Sequence, residues 1–191
     1  MSGEPGVEGR RTLAAGGLAV EFRRLADRWT HAILVDGLSL AAATEVDGPD
    51  ETRVVSPTYQ EIQLQGDDTA LLMGQSGPHH FSAVFRLIET PGGVTLDIDV
   101  ADRCRRPVAF LAATYLVERT SSELVDAGPS AIEWSTDSGR LRLEAGGSGR
   151  VGLAEAGRRA TRAQAEGVVI EGSHTHRLTY RWVKGFTPVS R

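Results

Sequence analysis

Apolar and polar residues alternate singly along most of this chain, the period that turns successive side chains to opposite faces of a β-strand. Leu18, Val20 and Phe22 alternate with Ala19, Glu21 and Arg23. Residues 29–35 and 38–46 flank Asp36-Gly37, a pair suited to the positive φ angles of a type I′ hairpin turn. Residues 54–65 and 70–75 flank Gly66-Asp67-Asp68 in a second expected hairpin, with Ile62 and Leu64 inward and Pro57 marking an edge or bulge. The best-specified unit places Phe81, Ala83, Phe85 and Leu87 before Thr90-Pro91-Gly92-Gly93, and Val94, Leu96, Ile98 and Val100 after it. The run from Val108 to Val117 is apolar on both faces, which predicts a strand covered on both sides. Further strands are expected at Ile132 to Ser135, Leu141 to Ala145, Val168 to Ile170 and His174 to Val183.

Two segments break the rhythm. Residues 1–17 lack periodicity and read as a flexible leader; the domain then spans residues 18–186, and 187–191 form a tail. Residues 146–167 are rich in Ala, Arg and Glu, which leaves a helix over about Leu153 to Ala165 or a long loop open. Many short strands with Gly, Pro and Asp turns and at most one short helix predict an all-β fold, an antiparallel β-sandwich or closed barrel. A length of 191 residues supports one domain with one core.

Composition narrows the partners. A formal charge of −4 argues against a nucleic-acid surface, and no apolar run is long enough for a spanning helix. Cys104 stands alone, so neither an intramolecular disulfide nor a cysteine cage for zinc is available, and a reducing cytoplasm is the expected location. The first residues have no apolar core of the kind that a secretory signal carries.

The candidate chemistry centres on histidine. His79 and His80 are adjacent and on a strand must face opposite ways, His79 with Phe81 and His80 with Ser82, so they cannot chelate one ion together. In GSHTHRLTYRW, His174, His176, Tyr180 and Trp182 share one face, while Thr175, Arg177, Thr179 and Arg181 share the other. Imidazoles two residues apart sit roughly 6–7 Å apart along a strand, close enough to converge on one metal or one substrate. Aromatic faces beside hydrogen-bonding groups suit a sugar, whose C–H patches lie next to hydroxyls; Trp29 beside His31 has the same mixture. Asp97 and Asp99 with Thr95 form the wet side of their hairpin. No nucleophile elbow, P-loop, dinucleotide fingerprint or His-Glu-x-x-His is present.

The segment FSAVFRLIETPGGVTLDIDVADRCRRPVAFLAATYLVE, Phe81 to Glu118, resembles the paired strands of galactose-mutarotase-like carbohydrate-processing β-sandwiches. The resemblance implies a sandwich with a sugar-binding face on which histidines, here His79 or His80, position the sugar. The resulting expectation is a domain that binds a carbohydrate or related polar small molecule through His174, His176, Tyr180, Trp182, His79 and His80. The alternatives are a sugar epimerase or lyase with a histidine acid or base, a cupin-like metal-binding protein, and a non-catalytic interaction domain. Cofactor and oligomeric state are left open.

Overall fold

A computed structural model describes residues 9–44, 50–157 and 159–185. The described residues form sixteen strands and no helix, arranged as two open sheets of eight strands each. The fold is therefore a β-sandwich and not a closed barrel.

The first sheet contains β1 (Arg10–Ala15), β2 (Leu18–Leu25), β3 (Arg28–Val35), β4 (Leu38–Ala43), β10 (Phe110–Glu118), β15 (Ala160–Glu166) and β14 (Arg150–Glu155), in that order. The short β5 (Arg53–Val54) adds to β10 as a parallel pair. The second sheet runs β11 (Glu123–Ala127), β12 (Ala131–Thr136), β13 (Gly139–Ala145), β16 (Thr175–Gly185), β9 (Gly93–Cys104), β8 (His79–Thr90), β7 (Thr69–Ser76) and β6 (Glu61–Gln65).

Alternation decides which side chains meet between the sheets. In β8, His79, Phe81, Ala83, Phe85 and Leu87 are buried while His80, Ser82 and Arg86 are exposed. In β3 the buried set is Trp29, His31, Ile33 and Val35. The two inner faces interlock through aromatic edges: Phe22 meets Phe85 at 5.2 Å and Tyr115 meets Trp182 at 5.2 Å between ring centroids. Such T-shaped contacts add to the burial of the rings themselves. At the end of β16 the buried Lys184 spans to the opposite sheet, donating to Asp36 Oδ1 at 2.9 Å. Asp36 and Gly37 have φ of 47° and 83°, as the type I′ hairpin requires.

The expected cover on both faces of β10 holds over its first half only: Leu111, Ala113, Tyr115 and Val117 are buried inward, and Ala112 and Thr114 are buried on the other face, but Leu116 on that second face is exposed. Thr114 Oγ1 donates to the Val55 carbonyl at 2.8 Å. The chain that leads from Val55 to Tyr59 passes close over β7, where a Cβ on Gly74 would sit 2.0 Å from the Thr58 carbonyl oxygen; the absence of a side chain permits the approach.

Four further expectations are corrected. The described part of the leader is not loose: Arg10–Ala15 pairs with β2, buries Leu13 and ion-pairs Arg10 with the buried Glu21. Residues 1–8, Phe186 and the tail 187–191 lie outside the described residues, as does the end of the strand expected to reach Val46. The Ala-rich stretch is the hairpin β14–β15, not a helix; Ala163 and Ala165 are wholly buried, and pairing with β10 supplies the backbone hydrogen bonds. Ile62 is only partly buried and Leu64 is 37% exposed, because β6 is an edge strand that overhangs the core. Residues 168–170 contribute a single bridge, Val168 to Arg177, in place of a strand.

Candidate functional site

The sheet pairing divides the six histidine and aromatic candidates between two environments. His79, His176, Tyr180 and Trp182 all point into the core, with Trp182 wholly buried. His80 and His174 are exposed, His174 just ahead of the first residue of β16. The face of β16 expected to meet a ligand is thus turned inward. The parity reading holds, but Leu178, Tyr180 and Trp182 carry too much apolar surface to remain in water when the alternative face is Thr175, Arg177, Thr179 and Arg181.

Two buried hydrogen-bonded histidine clusters result. His31 Nε2 lies 2.8 Å from Tyr115 Oη, which lies 2.8 Å from Tyr180 Oη. Burial drives the His31 imidazole down to about 3 and raises Tyr59, Tyr115 and Tyr180, so every member is neutral near pH 7. A neutral His31 that accepts from Tyr115, with Tyr180 donating to Tyr115, satisfies the chain. The cavity beside it, bounded by Trp29, Ser56 and Thr58, has a volume of about 20 Å³, room for one water-sized group and no more. The second cluster joins His79 Nδ1 to Asp102 Oδ2 at 2.8 Å, with His79 Nε2 2.7 Å from the Glu51 carbonyl oxygen. His176 is the cross-strand neighbour of Asp102 and neither of its nitrogens has a hydrogen-bond partner among the described residues. No three His, Cys, Asp or Glu side chains among the described residues are grouped so as to hold a metal ion.

Ligand-sized space lies on the other side of the same sheet. Two adjoining recesses of about 500 and 520 Å³ share Val84 and Asp99 on its outer face. These volumes fall within the range of small-molecule sites. The strand registers order their walls into rungs. One rung runs Glu61, Met73, Ser82, Ala101, Arg177; the next runs Gln63, Leu71, Val84, Asp99, Thr179; the third runs Arg86, Asp97, Arg181. Strands lie about 4.8 Å apart, so a rung of five spans roughly 19 Å. The recess has a simple cause: Ser82, Val84, Ala101 and Thr179 are short, and the longer Met73, Arg86, Arg177 and Arg181 stand around them as a rim.

Three carboxylates, Glu61, Asp97 and Asp99, balance three guanidinium groups in this trough. Arg177 reaches diagonally to Asp99, its Nε donating to Oδ1 at 2.7 Å and its second nitrogen to Oδ2. Arg181 is held by Glu144. Leu71, Val84 and the half-exposed Met73 supply apolar surface between the charges. His80 belongs to the same outer face, one rung beyond Ser82, in the row Gln75, His80, Arg103, Thr175. Sequence reasoning grouped Thr175, Arg177, Thr179 and Arg181 as one face, and Asp97 with Asp99 as another wet side. Only the β9–β16 pairing, which sets Asp99 beside Thr179, shows that these are one surface.

A larger recess of about 700 Å³ opens at the flank of the sandwich between β11 and β14, with Leu124, Trp134 and Leu153 in its wall. It is mainly apolar and exposes the margin of the core. Neither a family model nor a curated protein matches this chain.

Proposed function

We propose that this protein binds a carbohydrate, or a related polar small molecule, in the trough across β6–β7–β8–β9–β16. The observation that carries the reading is the trough's composition at ligand size: planar charged groups of both signs around a short, partly apolar floor. A pyranose needs that combination, since its hydroxyls each donate and accept while its C–H faces seek apolar contact. Guanidinium and carboxylate groups supply fixed pairs of donors and acceptors, and Leu71, Val84 and Met73 supply the contact surface. The pairing of Arg177 with Asp99 holds both side chains in place before a ligand arrives, which lowers the entropy cost of binding.

A thermal-shift screen against neutral sugars, sugar acids and sugar phosphates tests this. A ligand at about ten times its dissociation constant stabilises by roughly 1.4 kcal/mol, about 3–6 °C for a domain of this length. The expected result is a shift from one sugar class that Arg177→Ala abolishes. A flat screen overturns the reading.

One observation favours a second reading, a sugar epimerase or lyase. His80 brings an exposed imidazole to the trough's own face, where an acid or base would be needed. Turnover of the bound sugar that disappears in His80→Ala, with binding retained, would establish it.

A further inference from the structure

His79 has an acceptor at each ring nitrogen: the Asp102 carboxylate at Nδ1, 2.8 Å away, and the Glu51 carbonyl oxygen at Nε2, 2.7 Å away. A neutral imidazole carries one N–H and would set a lone pair against one of these oxygens. Only the imidazolium donates to both. The ring is 4% exposed and stacks parallel to Phe81 at 5.8 Å, so it has little freedom to turn away. The hydrogen bond to Asp102 is the largest of the effects that raise its proton affinity above the ordinary value of 6.5; burial opposes it.

The Glu51 carbonyl belongs to the segment Asp50 to Val54, which closes over a cavity of about 100 Å³ beside His79, Ser56 and Ser76. The far end of that segment is tied to β10 by the parallel pairing of Arg53 and Val54, with Val54 buried and the Arg53 guanidinium 4.6 Å from the Phe110 ring centre, so the part that His79 holds is Asp50 to Thr52. Asp50 Oδ1 accepts from the Thr52 amide and hydroxyl, the Thr52 carbonyl accepts from the Ala109 and Phe110 amides, and the exposed Glu51 carboxylate pairs with Arg106.

We infer that His79 is a buried cationic latch that holds this segment closed at neutral pH and releases it when the imidazolium gives its proton to solvent. Asp102, as an anion the stronger acceptor, keeps the one remaining N–H. The bare Nε2 lone pair then faces the Glu51 carbonyl oxygen, and that contact becomes repulsive. The charged and titratable groups around His79 are few: Asp102 and Cys104 on β9, His176 beside Asp102 on β16, Asp50, Glu51 and Arg53 on the segment, and Arg106 on the turn after β9. Neighbouring β7 presents only Gln75 and Ser76. Because the folded state binds the proton more tightly, the latch is fully engaged below pH 6.5 and is lost as pH rises through the higher folded value.

Nitrogen-detected NMR of the histidine rings, combined with amide hydrogen exchange across a pH series on the full chain, tests the latch. The expected result is two protonated nitrogens on His79 at pH 7. Between pH 6.5 and the higher folded midpoint, exchange of the Ala109 and Phe110 amides, corrected for intrinsic rates, rises by up to about tenfold per pH unit and levels off above that midpoint, while amides between β9 and β16 keep their protection. Asp102→Asn, which removes the largest of the effects that raise His79, brings the levelling-off to lower pH; Glu51→Gln, which keeps the carbonyl and removes only the smallest of them, moves it less. If Asp102→Asn does not fold, the wild-type titration decides alone. A His79 with one ring proton at pH 7, or protection that stays flat through its titration, overturns the latch.

Discussion

The two faces of β16 are built from neighbouring residues and do opposite work. Inward, Leu178, Tyr180 and Trp182 are wedged between the sheets, and Tyr180 joins a hydrogen-bonded chain that crosses from one sheet to the other. Outward, Arg177, Thr179 and Arg181 stand at the edge of a recess, with Arg177 already paired to Asp99. A period of two makes this division possible: one strand anchors the core with its even residues and presents polar side chains to the recess with its odd ones. The account requires inner substitutions to alter stability and outer ones to alter binding.

Trp182→Ala sharpens that division most. Removing a wholly buried indole that packs on Tyr115 and Trp134 should cost about 3–5 kcal/mol, measured by chemical denaturation. A loss below about 1 kcal/mol would show that the inner face is not the core that it is taken to be.

Acid should act on the inner face next. His31 is held neutral, with its proton affinity reduced from 6.5 to about 3, so the unfolded chain binds a proton that the folded chain refuses. Its contribution is therefore intact above pH 6.5 and falls as pH drops toward 3, by about 2 kcal/mol at pH 5. Replacing His31 with Gln should flatten that part of the stability-versus-pH curve, which denaturation at a series of pH values would reveal. Tyr115→Phe follows, at about 1–3 kcal/mol, because it strips the partner from both His31 Nε2 and Tyr180 Oη in a buried site. Unchanged stability would mean that the chain of hydroxyls contributes nothing.

Arg177→Ala should have the smallest effect on stability, under about 1 kcal/mol, since its ion pair is solvent-exposed. Its effect on ligand affinity should be at least tenfold, about 1.4 kcal/mol. An equal affinity for the variant would break the comparison, because the outer face would then be a solvated surface and nothing more.

How much of this was legible depends on side-chain size. The β8–β9 hairpin could be read directly, since Phe81, Phe85, Leu96 and Ile98 are large and alternate strictly with polar neighbours. The hairpin β14–β15 could not, because alanine fits the helical period as readily as the strand period. Ala163 and Ala165 are small because they pack beneath the opposite sheet, a tertiary reason with no local signal. Strand β1 was missed for the opposite reason, with Leu13 its only fully buried residue. At the site, the parity of β16 was plain, but two histidines at the head of the aromatic face made polarity a poor guide to direction. Trp182 and Tyr180 decide it by area. The trough itself draws on five strands from residue 61 to residue 181, and no spacing rule within one strand reports such an assembly.

The central claim is that the outer face binds the ligand while the inner face is core. An amide chemical-shift map recorded during titration with the sugar that gives the largest thermal shift tests it most directly. The account predicts perturbations concentrated at Met73, Val84, Asp99, Arg177 and Thr179. Perturbations centred instead on Trp29, His31 and Tyr59, or none that saturate, would contradict it.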